Sequence, residues 1–371
     1  MIILSDLIND TWDVQLLFNE LQRLCHPRTR VVLNFFNEVW RAPLAFAQKM
    51  GWGFDVKEQS WLSKEDVKNL MALAGFETIS QFTRILCPFN WPVLSSLLNR
   101  YVVHFFPANM LALTIFLVAR PIPCPAPDEQ TSPLDVSIIV PARNEEGNIK
   151  NIIEKTPKLG RKTEIIFVEG GSQDNTLATI KALIPQYPQK HIRLFQQEGR
   201  GKGDAVRLGF SEAEGDVLMI LDADLTVSPA DLPRFYDAIC TGKGEFINGV
   251  RLVYPMEDQS MRFFNKLGNK FFSWAFSWLL GQPIKDTLCG TKVLRRADYL
   301  LIARHRSYFG DFDPFGDFDL LFGAARLNLK IAEMPIRYRA RTYGDTNISR
   351  WRHGVLLLRM VVFAARRLRF L

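Results

Sequence analysis

The chain has no apolar run of the roughly 18 residues that a bilayer-crossing helix needs, so no membrane-spanning segment is expected. A secretory leader is not expected either, because Asp6, Asp10 and Asp13 interrupt the apolar start. Cysteine is scarce. The five residues, Cys25, Cys87, Cys124, Cys240 and Cys289, form no CxxC pair and no even framework. That argues against a disulfide scaffold and for reduced thiols in a cytoplasmic setting. Histidine is equally scarce, and its five residues show no metal-ligand spacing, so none is assigned to a site.

What is present is a globular composition: 371 residues, 47% hydrophobic and 23% charged, enough for two domains with ordinary cores. The net charge of +7 and a pI of about 9.1 suit an anionic partner: nucleic acid, nucleotide or membrane surface. "RPIPCPAPDEQTSPLD" carries Pro121, Pro123, Pro125 and Pro133, a density that removes donors and extends the backbone. Residues 121–134 therefore read as a linker between two domains.

After the linker, strand and helix patterns alternate. "VSIIVP", "EIIFVEGGS" and "DVLMILDAD" read as strands, and "EEGNIKNIIEKT", "DNTLATIKALI" and "KGDAVRLGFSEA" as helices. Short apolar strands separated by helices predict a mostly parallel sheet covered on both faces. Ligands bind such sheets outside the carboxyl ends of the strands. The loops "PARNEE", "EGGSQD" and "DADLT" all fall at such ends.

Before the linker, "MIILSDLIND", "RVVLNFFNEVW" and "MLALTIFLVARP" read as strands. "WLSKEDVKNLMALAGFETI" reads as a helix, N-capped by Ser63 and ended by Gly75. Residues 1–120 resemble the second half of a class I S-adenosylmethionine methyltransferase: a fourth strand, a fifth, the "S-x-E-D…L…AGF" helix and a closing hairpin. That family binds its cofactor at a glycine-rich loop after its first strand, and nothing like it stands ahead of residue 1. The expectation is a truncated methyltransferase-like domain without the cofactor, or an unrelated α/β scaffold.

"LMILDADLTVSP" places Asp222 and Asp224 two residues apart after an apolar strand. If the strand continues through them, both carboxylates project to one side. Their repulsion would drive one to protonate. Mg²⁺ or Mn²⁺, which takes one or two carboxylates plus substrate phosphates, removes the conflict. A helix N-cap or plain loop acid is the alternative for a lone DxD.

Together, "SIIVPARNEEGNI", "FVEGGSQDNT", "GRGKGDAVRLGFSEAEGDVLMILDADLTVSP" and "EMPIRYRARTYGDTNIS" resemble, over residues 135–371, the inverting family-2 glycosyltransferases of GT-A fold. Within that family the chain resembles the dolichol-phosphate mannose and glucose synthases. The resemblance implies a nucleotide-sugar donor, a divalent metal and transfer of a hexose with inversion. It puts Pro141, Arg143 and Glu145 in the loop that holds the nucleotide and Glu169 on the turn that reads the base. It makes Asp222 and Asp224 the metal ligands and sets Arg251 and Arg341 near the sugar and phosphates. Three positions depart from the family pattern. Gly170 replaces the second acid of the base-reading turn, Thr226 stands where some relatives have a ligating glutamine, and Thr346-Asn347 stand for Ser-Lys.

Lys202 in "GRGKGDA" is a candidate phosphate contact, or simply part of a helix start. "GDFDLLF" resembles the family's "FDVELL" and places Asp317 toward the acceptor. There it is a general base for a hydroxyl, or a positioning acid for a phosphate that is already anionic. Asp319 reads as helix-supporting, and Asp311 and Asp313 as loop acids. The metal, Asp224 and Arg341 would stabilise the departing nucleoside diphosphate electrostatically, with no Ser, Cys or His nucleophile.

Two segments suggest a membrane surface. In "SMRFFNKLGNKFFSWAFSWLLG", Arg262, Lys266, Asn269, Ser273 and Ser277 form a polar stripe beside Phe271, Trp274, Trp278 and Leu279. In "RWRHGVLLLRMVVFAARRLRFL", Arg352, Arg359 and Arg366 recur every seven residues. Basic amphipathic helices lie in the headgroup plane, although packing on the sheet or an oligomer interface would produce the same pattern. Arg262 and Arg341 would then serve the lipid phosphate.

The sequence thus predicts residues 1–120 as a truncated methyltransferase-like domain, 121–134 as linker, 135–345 as a GT-A domain and 346–371 as a basic amphipathic helix. The expected acceptor is a polyprenyl phosphate at the inner, cytoplasmic face of the membrane, with peripheral membrane contact and no nucleic-acid partner. Transfer to a hydroxyl of a glycan or lipid, and a non-catalytic nucleotide-binding module, are the alternatives.

Overall fold

The structure is a computed structural model. It describes residues 1–51, 60–123, 133–251, 263–306, 316–336, 339, 341, 343 and 350–370, and for 263–270 and 350–354 the backbone only. The chain divides into two compact units, Met1–Cys124 with Ala365–Leu371, and Pro125–Ala364.

The first unit contains β1 (Ile2–Leu4), α1 (Leu7–Asp10), α2 (Val14–Arg23), β2 (Val31–Phe36), α3 (Arg41–Lys49), α4 (Lys64–Leu73), β3 (Phe76–Arg84), α5 (Leu94–Arg100) and β4 (Thr114–Pro121). Its sheet runs β1-β2-β4-β3, with β1 and β2 parallel and β4 antiparallel to both neighbours. Helix α4 starts as the sequence predicts, with Ser63 and Asp66 forming a capping box. It also ends where the sequence predicts, with Leu73 its last residue and Gly75 just past the cap. Gly75 takes a φ of +78° and "FETI" leaves as β3, whose β-branched residues pair with β4. Phe18, Val31, Phe35, Val67 and Phe76 form the core against the sheet. Arg120 is buried in β4 and pairs with Glu77, its cross-strand neighbour on β3.

The second unit holds β5 (Val136–Ala142), α6 (Glu146–Lys155), β6 (Thr163–Glu169), α7 (Thr176–Leu183), β7 (His191–Gln196), α8 (Lys202–Glu212), β8 (Val217–Ile220), α9 (Leu232–Cys240) and β9 (Phe246–Val250). It continues with α10 (Phe263–Leu280), β10 (Lys292–Arg295), α11 (Arg296–Arg304), α12 (Phe318–Arg326), β11 (Ile331–Pro335) and α13 (Arg350–Leu368), whose residues from Ala365 onward belong to the first unit. The seven strands lie in the order β11-β9-β10-β8-β5-β6-β7. All neighbours are parallel except at β10, which runs against both β8 and β9. This is the mostly parallel α/β sheet that the alternating pattern predicts.

Strand periodicity explains how both faces are covered. Ile138, Val140, Ile165, Phe167 and Met219 point to one face and pack with residues of α6, α7 and α9. Ile139 and Val168 point to the other, where α8 comes close enough that a Cβ on Gly209 would meet both. Among the described residues no helix is long and apolar enough to cross a membrane.

Candidate functional site

The loops after β5, β6 and β8 meet at the carboxyl rim of the sheet, and their own polar side chains join them. Asn144 takes a φ of +57°, receives the Gln173 amide on its Oδ1 at 2.8 Å and donates its own amide to Ser172 Oγ at 3.0 Å. The Glu145 amide donates to Thr176 Oγ1. Arg143 is exposed, and Pro141 lies at the end of β5. Glu169 is buried and receives the Ser172 amide at 2.5 Å. Burial opposes its charge, but the Ser172 hydrogen bonds win and hold its carboxyl below the usual range.

The two aspartates are not on a strand. Strand β8 ends at Ile220, and Asp222–Leu225 forms a turn with Leu225 at a φ of +55°. The same-face argument from strand alternation therefore does not apply. A turn places these carboxylates, and each is held by a cation from elsewhere in the sequence. Lys202, in the first turn of α8, reaches Asp222 Oδ1 at 2.5 Å. Arg341 Nη2 reaches Asp224 Oδ2 at 2.9 Å and Glu145 Oε1 at 3.4 Å. Thr226 donates both its amide and its hydroxyl to Asp224 Oδ1, at 3.1 and 2.7 Å. The residue that replaces a possible glutamine ligand thus orients the second aspartate.

The electrostatics follow from this pairing. Burial works against the charge on Lys202, but Asp222, then Asp317 and Asp224, outweigh it and raise its pKa. Burial likewise opposes ionised Asp222, and Lys202 overcomes it and lowers the carboxyl's pKa. Glu145 moves the other way. Burial raises it, and Asn148 and Arg341 offset only part of that.

Three residues that sequence reasoning missed complete the rim. Gly290 fits against the first aspartate so closely that a Cβ would lie 2.0 Å from Asp222 Oδ2 and 2.2 Å from Lys202 Nζ. Lys292 opens β10, is fully buried, and binds Asp317 Oδ1 at 3.0 Å and the Cys289 carbonyl at 2.5 Å. Tyr343 covers Gly147, where a Cβ would meet its ring at 2.7 Å, and so packs the chain that carries Arg341 against α6. The Arg339 amide anchors that chain to the Thr226 carbonyl. The missed signal was strand direction. Because β10 is reversed, its beginning lies at the rim where the parallel strands end.

Other predicted residues have different surroundings. Asp317 is buried at the N-cap of α12, and Gly316 beside it, at a φ of +72°, abuts Gly203 at the start of α8. Arg251 is bidentate to buried Asp286, at 2.7 and 2.8 Å. Burial opposes the Asp286 charge, but Arg251 wins and lowers its pKa. Asp319 pairs with Arg306 at 2.9 Å. In α10, Phe271 and Trp274 are exposed and Leu279 is buried. Of the polar stripe, Ser273 and Ser277 are half-buried, and their hydroxyls both donate to the Ile284 carbonyl. In α13, Arg359 and Arg366 are exposed beside Val355, Leu358 and Val362. Arg262, Asp311, Asp313, Thr346, Asn347 and the side chains of Lys266, Asn269 and Arg352 lie outside the described residues.

Among the described residues no cluster of three His, Cys, Asp or Glu side chains could hold a metal. The pair fits a sparser mode. Asp222 and Asp224 offer hard oxygens and are partly exposed, at 23% and 16% of their side chains. Mg²⁺ and Mn²⁺ are commonly held by two such groups with substrate phosphates as the remaining ligands.

Comparison with known proteins gives this rim its family. Residues 137–300 match the model of Glycosyl transferase family 2. This segment is a glycosyltransferase family 2 domain. Beyond it, the chain is similar to the undecaprenyl-phosphate 4-deoxy-4-formamido-L-arabinose transferase of Proteus mirabilis, 26% identical over 58% of this chain and 63% of the relative. It is also similar to the dolichol-phosphate mannosyltransferase of Pyrococcus furiosus, 34% identical over 44% of this chain and 47% of the relative. The chain thus spans about half to two-thirds of the length of the curated relatives it matches. Among solved structures, glucosyl-3-phosphoglycerate synthase from Mycobacterium tuberculosis is 21% identical with a TM-score of 0.47, covering 63% of this chain and 80% of that one. The family 2 domain contains Asp222, Asp224, Lys202, Gly290 and Lys292, while Arg341 and Asp317 come from the sequence after it.

Proposed function

We propose that the chain is an inverting glycosyltransferase that moves a hexose from a nucleoside-diphosphate sugar to a polyprenyl phosphate. The observation that carries this reading is the turn after β8, where two carboxylates lie between Lys202 on one side and Arg341 on the other. Asp222 and Asp224 would hold Mg²⁺ or Mn²⁺, which supplies Lewis-acid neutralisation of the diphosphate.

The chain's own groups do the rest. Binding the donor frees Lys202 from Asp222 to meet a phosphate oxygen. Arg341 links the nucleotide loop at Glu145 to the aspartate turn and adds positive charge where the leaving diphosphate gains negative charge. Pro141, Arg143 and Glu169 line the base and ribose end, and Arg251, fixed by Asp286, supports the wall beside the sugar. The acceptor oxygen attacks from the face opposite the leaving group.

Asp317 favours a phosphate acceptor over a hydroxyl. Its carboxylate is already engaged by the buried Lys292 ammonium. A base used to deprotonate a hydroxyl has to be available to that proton, whereas a phosphate arrives anionic. The homologues named for undecaprenyl and dolichol phosphates support the same acceptor class.

We also infer peripheral contact with the inner, cytoplasmic membrane face, supported by exposed Arg359 and Arg366 among aliphatic residues on α13. Residues 1–120 form the methyltransferase-like part in this reading. Its support is the parallel pair β1-β2, the capped helix α4 and the hairpin β3-β4, in the order that the resemblance implies.

The test is transfer of radiolabelled sugar into a chloroform-extractable product with Mn²⁺, across common nucleotide sugars. Wild type should label the product, and Asp224→Ala should not. Absence of transfer from every donor would remove the reading. Retained turnover in Asp317→Asn would support phosphate as acceptor, and its abolition in a variant whose thermal unfolding shows it still folded would support a hydroxyl.

A further inference from the structure

Sequence and structure single out a surface of the first unit far from the chemistry above in chain position. No carboxylate stands anywhere between Glu77 and Asp128. Between β3 and β4 this acid-free chain leaves the sheet, and it exposes large apolar side chains that a folded unit would ordinarily bury. Phe89, Trp91, Val93, Leu97, Phe106 and Met110 are all more than half exposed, Val93 and Phe106 by 81% and 79%. Scattered apolar exposure is normal, but six such residues within one short segment mark an interaction site.

Beside them lies an open pocket of about 510 Å³, lined by Arg84, Ile85, Ser96, Asn99 and Arg100. Its arginines are oriented by neutral groups. Arg84 contacts His104 Nε2 at 3.0 Å, the Arg369 carbonyl at 3.5 Å and the face of Phe82. Arg100 donates to the Phe370 carbonyl at 3.0 Å and lies over Tyr101. Among the described residues no carboxylate pairs with either guanidinium. Asn99 bridges the Leu86 and Cys87 amides and the Cys87 carbonyl, so it builds the wall.

The surroundings register this positive charge. Burial, then Arg84 and Arg369, push the His104 imidazole down to about 4. Burial, then Arg84, push Arg369 down to about 10. His104 is thus neutral near pH 7 and adds no charge of its own.

We propose that residues 85–111, with Arg84, form a docking surface for a bilayer containing anionic phospholipid. The aromatic and aliphatic side chains enter the headgroup boundary, and Arg84 and Arg100 take the lipid phosphate. Charge complementarity selects this occupant. An acid-free segment with two arginines that pair with no carboxylate among the described residues calls for an anion, and aromatic residues around a cationic pocket match an interface that is apolar on one side and phosphate-rich on the other. The proposal concerns the first unit alone and does not depend on the sugar-transfer reading.

Flotation of the full chain with vesicles of equal parts phosphatidylcholine and phosphatidylglycerol tests it. Wild type should float with these vesicles and much less with pure phosphatidylcholine. Arg84→Gln with Arg100→Gln should weaken partitioning roughly twenty-fivefold, from about fivefold for each cation near anionic lipid. Phe106→Ser with Val93→Ser should weaken it at least about tenfold. Folding of the variants is independently bypassed by brominated lipid, which should quench part of the wild-type tryptophan emission, a part lost in Trp91→Phe. Wild type that fails to float, variants that float equally well, or quenching unchanged by Trp91→Phe would each overturn the proposal.

Discussion

Gly290→Ala is the sharpest test of the rim. The added methyl carbon would lie 2.0 Å from Asp222 Oδ2, 2.6 Å from its Cγ and 2.2 Å from Lys202 Nζ. Lys202 is long and can swing away. Asp222 has one methylene and a turn backbone behind it, so its carboxylate must retreat by more than an ångström to reach ordinary contact. Misplacement of a catalytic group by about 1 Å costs on the order of a hundredfold in rate. The variant should therefore lose about two orders of magnitude in kcat for sugar transfer, and its affinity for Mn²⁺ with nucleotide should fall as well. Strand β10, which begins two residues later, is held by ladders to β8 and β9, so thermal unfolding should shift little. The assay is initial-rate transfer of labelled sugar, with calorimetric titration of nucleotide plus Mn²⁺ alongside. A variant retaining more than half of wild-type activity would refute the argument, because it would mean that Asp222 does not act from the position seen here.

Further outcomes follow from the same structure. Lys292→Met should destabilise the second unit by about 3–5 kcal/mol, since it leaves Asp317 buried without its cation, and adding Asp317→Leu should recover much of that loss in urea unfolding. Ser63→Ala should cost about 1 kcal/mol by removing the α4 cap, measurable by the same method. His104 has a depressed pKa, so the unfolded chain binds its proton more readily. Its contribution is present above about pH 6.5 and is lost as pH falls toward about 4, amounting to about 3 kcal/mol in total. His104→Gln should flatten that part of the stability profile, and an unchanged slope would contradict the assignment.

The parts of the fold governed by local pattern were legible. "VSIIVP", "EIIFVE" and "DVLMI" read as buried parallel strands because a strand covered on both faces needs no polar alternation. Ser63 announced its helix through capping chemistry. Asp222, Asp224 and Lys202 were singled out because they follow a strand or open a helix at the expected rim, and Glu145 and Arg341 through the family likeness. Gly290 and Lys292 were not found, since the rule that ligands meet carboxyl ends of strands points away from the start of a reversed one. Lys292 also looked like an ordinary strand-edge charge, and only long-range packing pairs it with Asp317, 25 positions later. Arg251 and the α10 serines have partners that the sequence did not reveal, Asp286 for the first and the Ile284 carbonyl for the others. The exposed segment between β3 and β4 lacks amphipathic periodicity, which hid it from a helix-based search.

Strand β10 bonds to a neighbour on each side, with Val293 opposite Met219 and Ile247. That double ladder immobilises the wall that carries Gly290 and Lys292. On the proposed reading, any rearrangement around nucleotide would fall to the opposite bank, at the approach to α8 and at Arg341. Amide hydrogen exchange would separate the two: Val293 should stay equally protected with and without nucleotide, while the amides near Gly201 and Arg341 slow markedly once it binds.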